Sequence, residues 1–250
     1  MHSIPSLKGC WIERGCAASI AAELKGLSSY LASSFFDAMD NVNNPRVVAI
    51  GASSGGLDAF RTLIENLPVD TDLAFVLLSH ILRGSHSLLP EILALATTMH
   101  VTQVTEDIQL CPNHIYILPP DKYMEICQGL LHLVPRPTRP VNNAINHFLF
   151  SLAKDHAHGS IGIILSGEGS DGAEGMKTLK ENGGGVTMAQ LPESAGSPSM
   201  PLNAIQVDHV DYILSPQDIA KQLAAMSQHE PDLVKTPLKV LWMRRPTRSS

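Results

Sequence analysis

Residues 47–56 have the sequence VVAIGASSGG, an apolar run followed by a glycine-rich turn. The apolar run at 47–50 is continuous and ends at Gly51, which predicts a strand buried on both faces. The residues that follow the glycines, 57–66, have the pattern of a helix. A buried strand followed by a helix is the repeating unit of α/β proteins with parallel sheets.

The same alternation of apolar runs and helical patterns continues to residue 226. Further strands are predicted at residues 73–78, 101–104, 115–118, 123–126, 130–134, 161–165, 185–189 and 210–213. Further helices are predicted at residues 87–96, 144–157, 172–182 and 216–226. The runs at 73–78 and 161–165 are as continuous as the first run, which is typical of central strands covered on both sides. The sequence therefore predicts an α/β fold with a doubly wound, mostly parallel sheet and helices on both faces.

The two ends of the chain differ from the region between them. The first 44 residues have an irregular apolar pattern, although a helix at 17–31 is compatible with it, and the Asn-rich segment before Pro45 predicts a linker. The last residues have no regular pattern and carry the basic side chains of Lys235, Lys239, Arg244, Arg245 and Arg248. We therefore divide the chain into a poorly defined N-terminal extension at 1–44, a folded domain at 45–229 and a basic C-terminal tail at 230–250.

Composition and charge exclude several classes of protein. With 250 residues, a net charge of −6 and 5% aromatic residues, the chain lacks the basic surface that binds nucleic acid. The cysteines form no CxxC pair and have no zinc-site spacing, so free thiols are expected at Cys10, Cys16, Cys111 and Cys127. No apolar run approaches the roughly 20 residues that span a bilayer, and the N-terminus lacks the basic region of a signal peptide. These features predict a cytoplasmic protein without membrane insertion.

The turn after the first strand contains a candidate nucleophile. Gly51, Ser53 and Gly55 form a G-x-S-x-G pattern between a predicted strand and a predicted helix, the context in which this motif exposes a reactive serine. A glycine-rich turn of this kind also binds phosphate or has a purely structural role, although the usual phosphate-binding signatures are absent here. The pattern by itself leaves both interpretations open.

Two further side chains are predicted at the same edge of the sheet. His80 follows the strand at 73–78, and Asp171 lies between the strand at 161–165 and the next helix. Because the carboxyl ends of parallel strands meet at one edge, these side chains are candidates for a general base and its orienting acid. A single histidine is more often structural or exposed, and an aspartate before a helix is often its N-cap. The order Ser, His, Asp differs from the usual α/β-hydrolase order, but triads are defined by geometry.

Five segments together resemble a known family. They are VVAIGASSGG at 47–56, LLSH at 77–80, HIYILPPDKYMEI at 114–126, GIILSGEGSDGAEGMKTLKENGG at 162–184 and ESAGSPSMPLNAI at 193–205. Their order, spacing and residues are similar to those of the catalytic domain of CheB-type chemotaxis methylesterases. The resemblance covers roughly residues 46–228, nearly three quarters of the chain, and identifies the folded domain as a methylesterase catalytic domain.

The resemblance implies a function and a role for individual residues. Ser53, His80 and Asp171 take the positions of nucleophile, base and acid. The backbone N–H of Glu168 takes the position of an oxyanion donor, and Met200 and Pro201 fall in a segment that resembles a substrate-side loop.

The implied enzyme is a protein-glutamate methylesterase. It hydrolyses glutamate methyl esters on chemoreceptors, releases methanol and can also deamidate glutamines. The resemblance implies no metal and no organic cofactor. The expected partners are a methylated chemoreceptor or a similar signalling protein, and a CheR-type methyltransferase.

Departures from the family pattern leave two alternatives open. Glu168 stands where the family usually has an uncharged residue, and a carboxylate beside an oxyanion would repel it unless it points to solvent. This favours a non-catalytic signalling module of the same fold, and the second alternative is an esterase for another carboxylic ester.

Asn146 stands where relatives often carry Asp. Members that act as response regulators carry a receiver domain, whereas no strand–helix series precedes Val47, so we expect no control by a receiver within this chain.

Overall fold

The computed structural model describes residues 45–80, 84, 87–137, 142–155 and 159–227, and the statements below concern these residues. The basic tail and the N-terminal extension, with the helix predicted in it, lie outside the described residues. None of the helices within these ranges is long and apolar enough to span a membrane.

Ten strands form two sheets in the described ranges. They are β1 (Arg46–Ala52), β2 (Leu73–Ser79), β3 (His100–Gln103), β4 (Ile108–Gln109), β5 (His114–Ile117), β6 (Lys122–Cys127), β7 (Leu130–Pro135), β8 (Ile161–Ile164), β9 (Val186–Gln190) and β10 (Tyr212–Leu214). Seven strands form a parallel sheet in the order β10-β9-β8-β1-β2-β5-β3, and β4, β7 and β6 form a small antiparallel sheet. The strands β2, β3 and β5 lie on one side of β1, whereas β8, β9 and β10 lie on the other side. The strand order therefore reverses between β1 and β8, which makes this position a topological switch point.

Helices cover both faces of the parallel sheet. They are α1 (Gly56–Glu65), α2 (Leu89–Ala96), α3 (Ala144–Asp155), α4 (Ala173–Gly183), α5 (Ser199–Gln206) and α6 (Pro216–Ser227), with a short 3-10 helix at Pro192–Ser194. Val48 of β1 shares one buried apolar cluster with Phe60 of α1, whereas the adjacent Val47 shares another with Phe148 of α3. The predicted doubly wound α/β fold is thereby confirmed. Burial on both faces also explains why the apolar run of β1 is continuous.

The structure contains three elements that the sequence pattern does not predict, namely β4, α5 and the 3-10 helix at Pro192–Ser194. β4 has only two residues, which is too short for a periodic pattern. The resemblance places Met200 and Pro201 in a loop, but both belong to α5. Pro201 lies in the first turn, where the backbone N–H groups have no intrahelical acceptor, so this proline does not break the helix. The other predicted elements begin and end within two residues of the observed ones, which is the usual uncertainty of such boundaries. The exception is the helix predicted at 144–157, whose predicted end lies outside the described residues.

Candidate active site

The three predicted site residues lie at the carboxyl edge of neighbouring strands. Ser53 follows β1, His80 follows β2, and Asp171 lies in the turn between β8 and α4. The last pair in the β1–β2 register is Ala52 with Ser79. Ser53 and His80 directly follow these two residues, so they lie side by side at the carboxyl edge of the sheet. The sheet therefore brings together side chains that are distant in the sequence.

His80 and Asp171 form a direct side-chain contact. The Nε2 atom of His80 lies 2.7 Å from Oδ2 of Asp171, and the two side chains are 18% and 4% exposed. With Nε2 directed at the carboxylate, Nδ1 is the ring nitrogen that remains for exchanging a proton with another group. The pair thus has the form of a base oriented by an acid.

The N-terminus of α3 holds the Asp171 carboxylate from its other side. Oδ2 accepts a hydrogen bond from the backbone N–H of Ile145 at 3.0 Å, and Oδ1 accepts one from Asn146 at 2.8 Å. Both donors belong to the first turn of α3, where the helix dipole favours a negative charge. Because a buried carboxylate requires such partners, α3 both stabilises Asp171 and fixes its orientation.

Asp171 is not the N-cap of the helix that follows it. Gly172 occupies the N-cap position of α4 and no side chain makes a capping hydrogen bond there. The interpretation of Asp171 as a simple N-cap is therefore wrong, because its carboxylate serves His80 and the N-terminus of a different helix.

The turn that carries Ser53 depends on glycine at two positions. Gly55 has a φ of +71°, in the left-handed region that side chains disfavour. A Cβ at Gly56 would lie 2.7 Å from the Cβ of Ala52, too close for any other residue. Ser53 is half-buried on this turn, and its side chain is not hydrogen-bonded to His80 among the described residues. Catalytic hydrogen bonds often form only when substrate is bound, so this geometry is compatible with a nucleophile.

The turn that contains Glu168 packs directly on Ser53. A Cβ at Gly167 would lie 3.0 Å from the Cβ of Ser53. The N–H of Gly167 donates to Ser197 O at 2.9 Å, and that of Gly169 donates to Ser199 Oγ at 3.3 Å. The N–H of Glu168, between them, has no partner in the described ranges. The Glu168 residue is exposed, so its carboxylate is accessible to solvent.

Asn146 makes hydrogen bonds at the site that the sequence did not indicate. Its N–H donates to Asp171, while its side-chain Oδ1 accepts a hydrogen bond from Gly175 N at 2.7 Å. One residue thus connects the N-terminus of α3, the Asp171 carboxylate and the first turn of α4. An Asp at this position would also offer an oxygen to the N–H of Gly175.

Replacing Asn146 with alanine is expected to lower the free energy of unfolding by about 1–3 kcal/mol, because the buried N–H of Gly175 loses its acceptor. Asn146→Asp is the matched control, since it keeps an oxygen at the same place and should retain most of the stability. Urea unfolding of the three proteins measures the difference. Equal stability of Asn146→Ala and the intact protein would show that the hydrogen bond contributes nothing.

A cavity of about 330 Å³ is lined in part by Gly55 of the Ser53 turn. Its lining also includes Asp58, Gln190 and Gln217, but none of Ser53, His80 and Asp171. The candidate catalytic residues therefore do not line this cavity. In the described ranges, no three His, Cys, Asp or Glu side chains are grouped so that they could hold a metal ion.

Several methylesterases are similar in sequence to this domain. A protein-glutamate methylesterase/protein-glutamine glutaminase 1 from Carboxydothermus hydrogenoformans is 34% identical over 190 residues, 73% of this chain and 56% of that protein. A protein-glutamate methylesterase/protein-glutamine glutaminase from Photorhabdus laumondii is 31% identical and is covered over 53% of its length, with 74% of this chain matched. The chain thus spans about half the length of these two relatives. A relative from Leptospira interrogans, 31% identical over 74% of this chain, is covered over 97% of its length.

A solved structure and a family model agree with these matches. The crystal structure of the Thermotoga maritima CheB methylesterase catalytic domain is similar with a TM-score of 0.67 at 25% identity, over 73% of this chain and 99% of that one. The model of the CheB methylesterase family matches residues 48–223. This match includes Ser53, His80 and Asp171 and extends over most of the described residues. The chain belongs to the CheB methylesterase family.

Proposed function

We propose that this chain is a protein-glutamate methylesterase that acts through Ser53, His80 and Asp171. The observation that carries the proposal is the contact of 2.7 Å between His80 Nε2 and Asp171 Oδ2. This pair lies at the same carboxyl edge of the sheet as the half-buried Ser53. The names of its relatives support hydrolysis of glutamate methyl esters and of glutamine amides.

The first half of the reaction transfers the acyl group to the enzyme. Ser53 Oγ attacks the ester carbonyl carbon while His80 Nδ1 takes the hydroxyl proton. The resulting imidazolium is stabilised by Asp171, and the tetrahedral oxyanion accepts a hydrogen bond from the N–H of Glu168. The intermediate then collapses, the bond to the methoxy oxygen breaks, and this oxygen takes the proton from His80 and leaves as methanol.

The second half of the reaction restores the enzyme. His80 Nδ1 takes a proton from water, and the oxygen of that water attacks the acyl carbon on Ser53. Collapse of this second intermediate breaks the bond to Ser53 Oγ, which takes the proton back from His80, and releases the glutamate side chain as a carboxylic acid that loses its remaining proton to solvent. With a glutamine side chain the same steps release ammonia instead of methanol.

The exposed position of the site suits a protein substrate. Ser54 and Glu168, which flank Ser53, are both exposed, so a segment on the surface of another protein can reach the nucleophile. We propose a methylated chemoreceptor, or a similar signalling protein, as substrate. A CheR-type methyltransferase is then the partner enzyme, whose reaction forms the methyl ester. The cytoplasmic location and the division into extension, domain and tail stay predictions.

The proposal is tested by measuring methanol release from methylated chemoreceptor fragments, with and without prior treatment with a fluorophosphonate, which reacts with activated serines. We expect release by the intact protein and none after treatment. Folded protein that neither releases methanol nor reacts with the fluorophosphonate would favour the non-catalytic module. Reaction with the probe and hydrolysis of aryl esters, without methanol release from receptor fragments, would favour an esterase for another substrate.

A further inference from the structure

A fully buried hydroxyl lies beneath the turn that carries the nucleophile. Ser166 follows β8, is 0% exposed and directly precedes the Gly167–Gly169 turn. Its Oγ donates to the carbonyl oxygen of Ser54 at 2.8 Å and accepts from the N–H of Ser197 at 2.9 Å. The hydroxyl thus connects the nucleophile turn with the segment that leads into α5.

The backbone of Ser166 holds the same turn at a second point. Its carbonyl oxygen accepts a hydrogen bond from the N–H of Ser53 at 2.9 Å. The Ser53–Ser54 segment is therefore held at Ser53 N by the backbone of Ser166 and at Ser54 O by its hydroxyl. The N–H of Ser166 donates to Gln190 Oε1 at 2.8 Å, and Gln190 Nε2 donates to Ser194 O at 2.9 Å. Ser166 is therefore anchored to β9 as well as to the turn.

The packing around this hydroxyl leaves little room for the turn to move. A Cβ at Gly55 would lie 2.7 Å from Ser166 Oγ, and the Oγ is held by two hydrogen bonds, so it cannot easily give way. A glycine at position 55 is thus required both by its left-handed backbone and by the approach of this hydroxyl.

We infer that Ser166 is a positioning residue, whose hydroxyl sets the orientation of Ser53 Oγ toward His80 by fixing the Ser53–Ser54 segment against the 194–199 segment. This inference rests on the proposed function. Ser166 touches no reacting atom itself and acts through the backbone of the nucleophile turn. Reactions that need close alignment of nucleophile and base are sensitive to small displacements, so loss of this contact should reduce the rate of acylation.

The test compares Ser166→Ala with Ser160→Ala. Ser160 is also a buried serine, 1% exposed, but it lies at the opposite end of β8. For Ser166→Ala we expect kcat for ester hydrolysis and the rate of fluorophosphonate labelling to fall together by about 10-fold to 100-fold. KM should change little, since the buried hydroxyl is not on the exposed surface that a protein substrate contacts. Ser160→Ala should keep kcat even where its unfolding temperature falls.

Two further variants keep the test decisive if Ser166→Ala does not fold. Ser166→Cys keeps a side chain of similar shape but with a larger and weaker donor, and a similar loss of kcat is expected. Gly55→Ala leaves the Ser166 hydroxyl in place but introduces a Cβ 2.7 Å from its Oγ, so the turn must shift, and kcat and fluorophosphonate labelling should again fall together.

The outcomes separate the two proposals. An intact protein that is labelled and releases methanol, combined with unchanged kcat in Ser166→Ala or Ser166→Cys, would overturn the inference and leave the proposed function in place. A drop in kcat for Ser160→Ala equal to that for Ser166→Ala would also overturn it, because the effect would then be one of stability. No labelling and no methanol release by the intact, folded protein would overturn the proposed function, and this inference with it.

Discussion

Replacing Ser53 with alanine is expected to lower kcat for methyl-ester hydrolysis by about 10⁶-fold, since removal of a serine nucleophile leaves only binding and oxyanion contacts to accelerate the reaction. The fluorophosphonate should also no longer label the protein. Ser53 is half-buried and its hydroxyl is not bonded to His80 in the described residues, so the variant should fold with nearly unchanged stability. Methanol release under single-turnover conditions, together with thermal unfolding, measures both expectations.

Ser54→Ala is the matched control for this prediction. Ser54 is the next residue on the same turn and is exposed, but its contact with Ser166 uses the backbone carbonyl oxygen, which alanine retains. Its activity should stay close to that of the intact protein. Loss of labelling in Ser54→Ala, with labelling retained in Ser53→Ala, would move the nucleophile by one residue and contradict the mechanism above.

The sequence predicted the fold because the central strands are buried on both faces. β1 and β2 pack against helices on each side, so their side chains are apolar at successive positions, and this pattern is visible without a structure. The glycines of the Ser53 turn were equally visible, because a left-handed residue and a close backbone approach both require glycine. The helix α5 was not, since prolines and serines at its start also occur in loops.

The contacts that hold the site together could not be predicted from the sequence. Ile145 and Asn146 reach Asp171 only because α3 and α4 pack side by side on one face of the sheet. Ser166 has the same appearance in the sequence as any serine that ends a strand, and its role becomes visible only when the Ser54 and Ser197 segments are brought beside it. Chemical groups were thus predictable at strand ends, whereas the residues that orient them depend on tertiary packing.

Replacing Asp171 with asparagine is expected to lower kcat by about 10⁴-fold while leaving the overall fold intact. Asp171 accepts three hydrogen bonds, from His80 Nε2 and from the N–H groups of Ile145 and Asn146. An amide has only one oxygen, so its NH2 group must face either the helix N–H groups or the imidazole. A neutral amide also cannot stabilise the imidazolium that forms when His80 takes the Ser53 proton.

The control for Asp171→Asn is Asp211→Asn, a partly buried carboxylate at the opposite edge of the sheet. Asp211 accepts hydrogen bonds from Lys180 Nζ at 2.8 Å and from the N–H of Thr187 at 3.0 Å. Both substitutions replace a charged acceptor of several hydrogen bonds with a neutral amide, so urea unfolding should show a lower free energy of unfolding for each variant. Only Asp171→Asn should lose kcat for methanol release, because only this carboxylate contacts His80. If Asp171→Asn keeps most of its kcat, the N-terminus of α3 holds Asp171 for structural reasons alone, and the acid of the mechanism must be sought elsewhere.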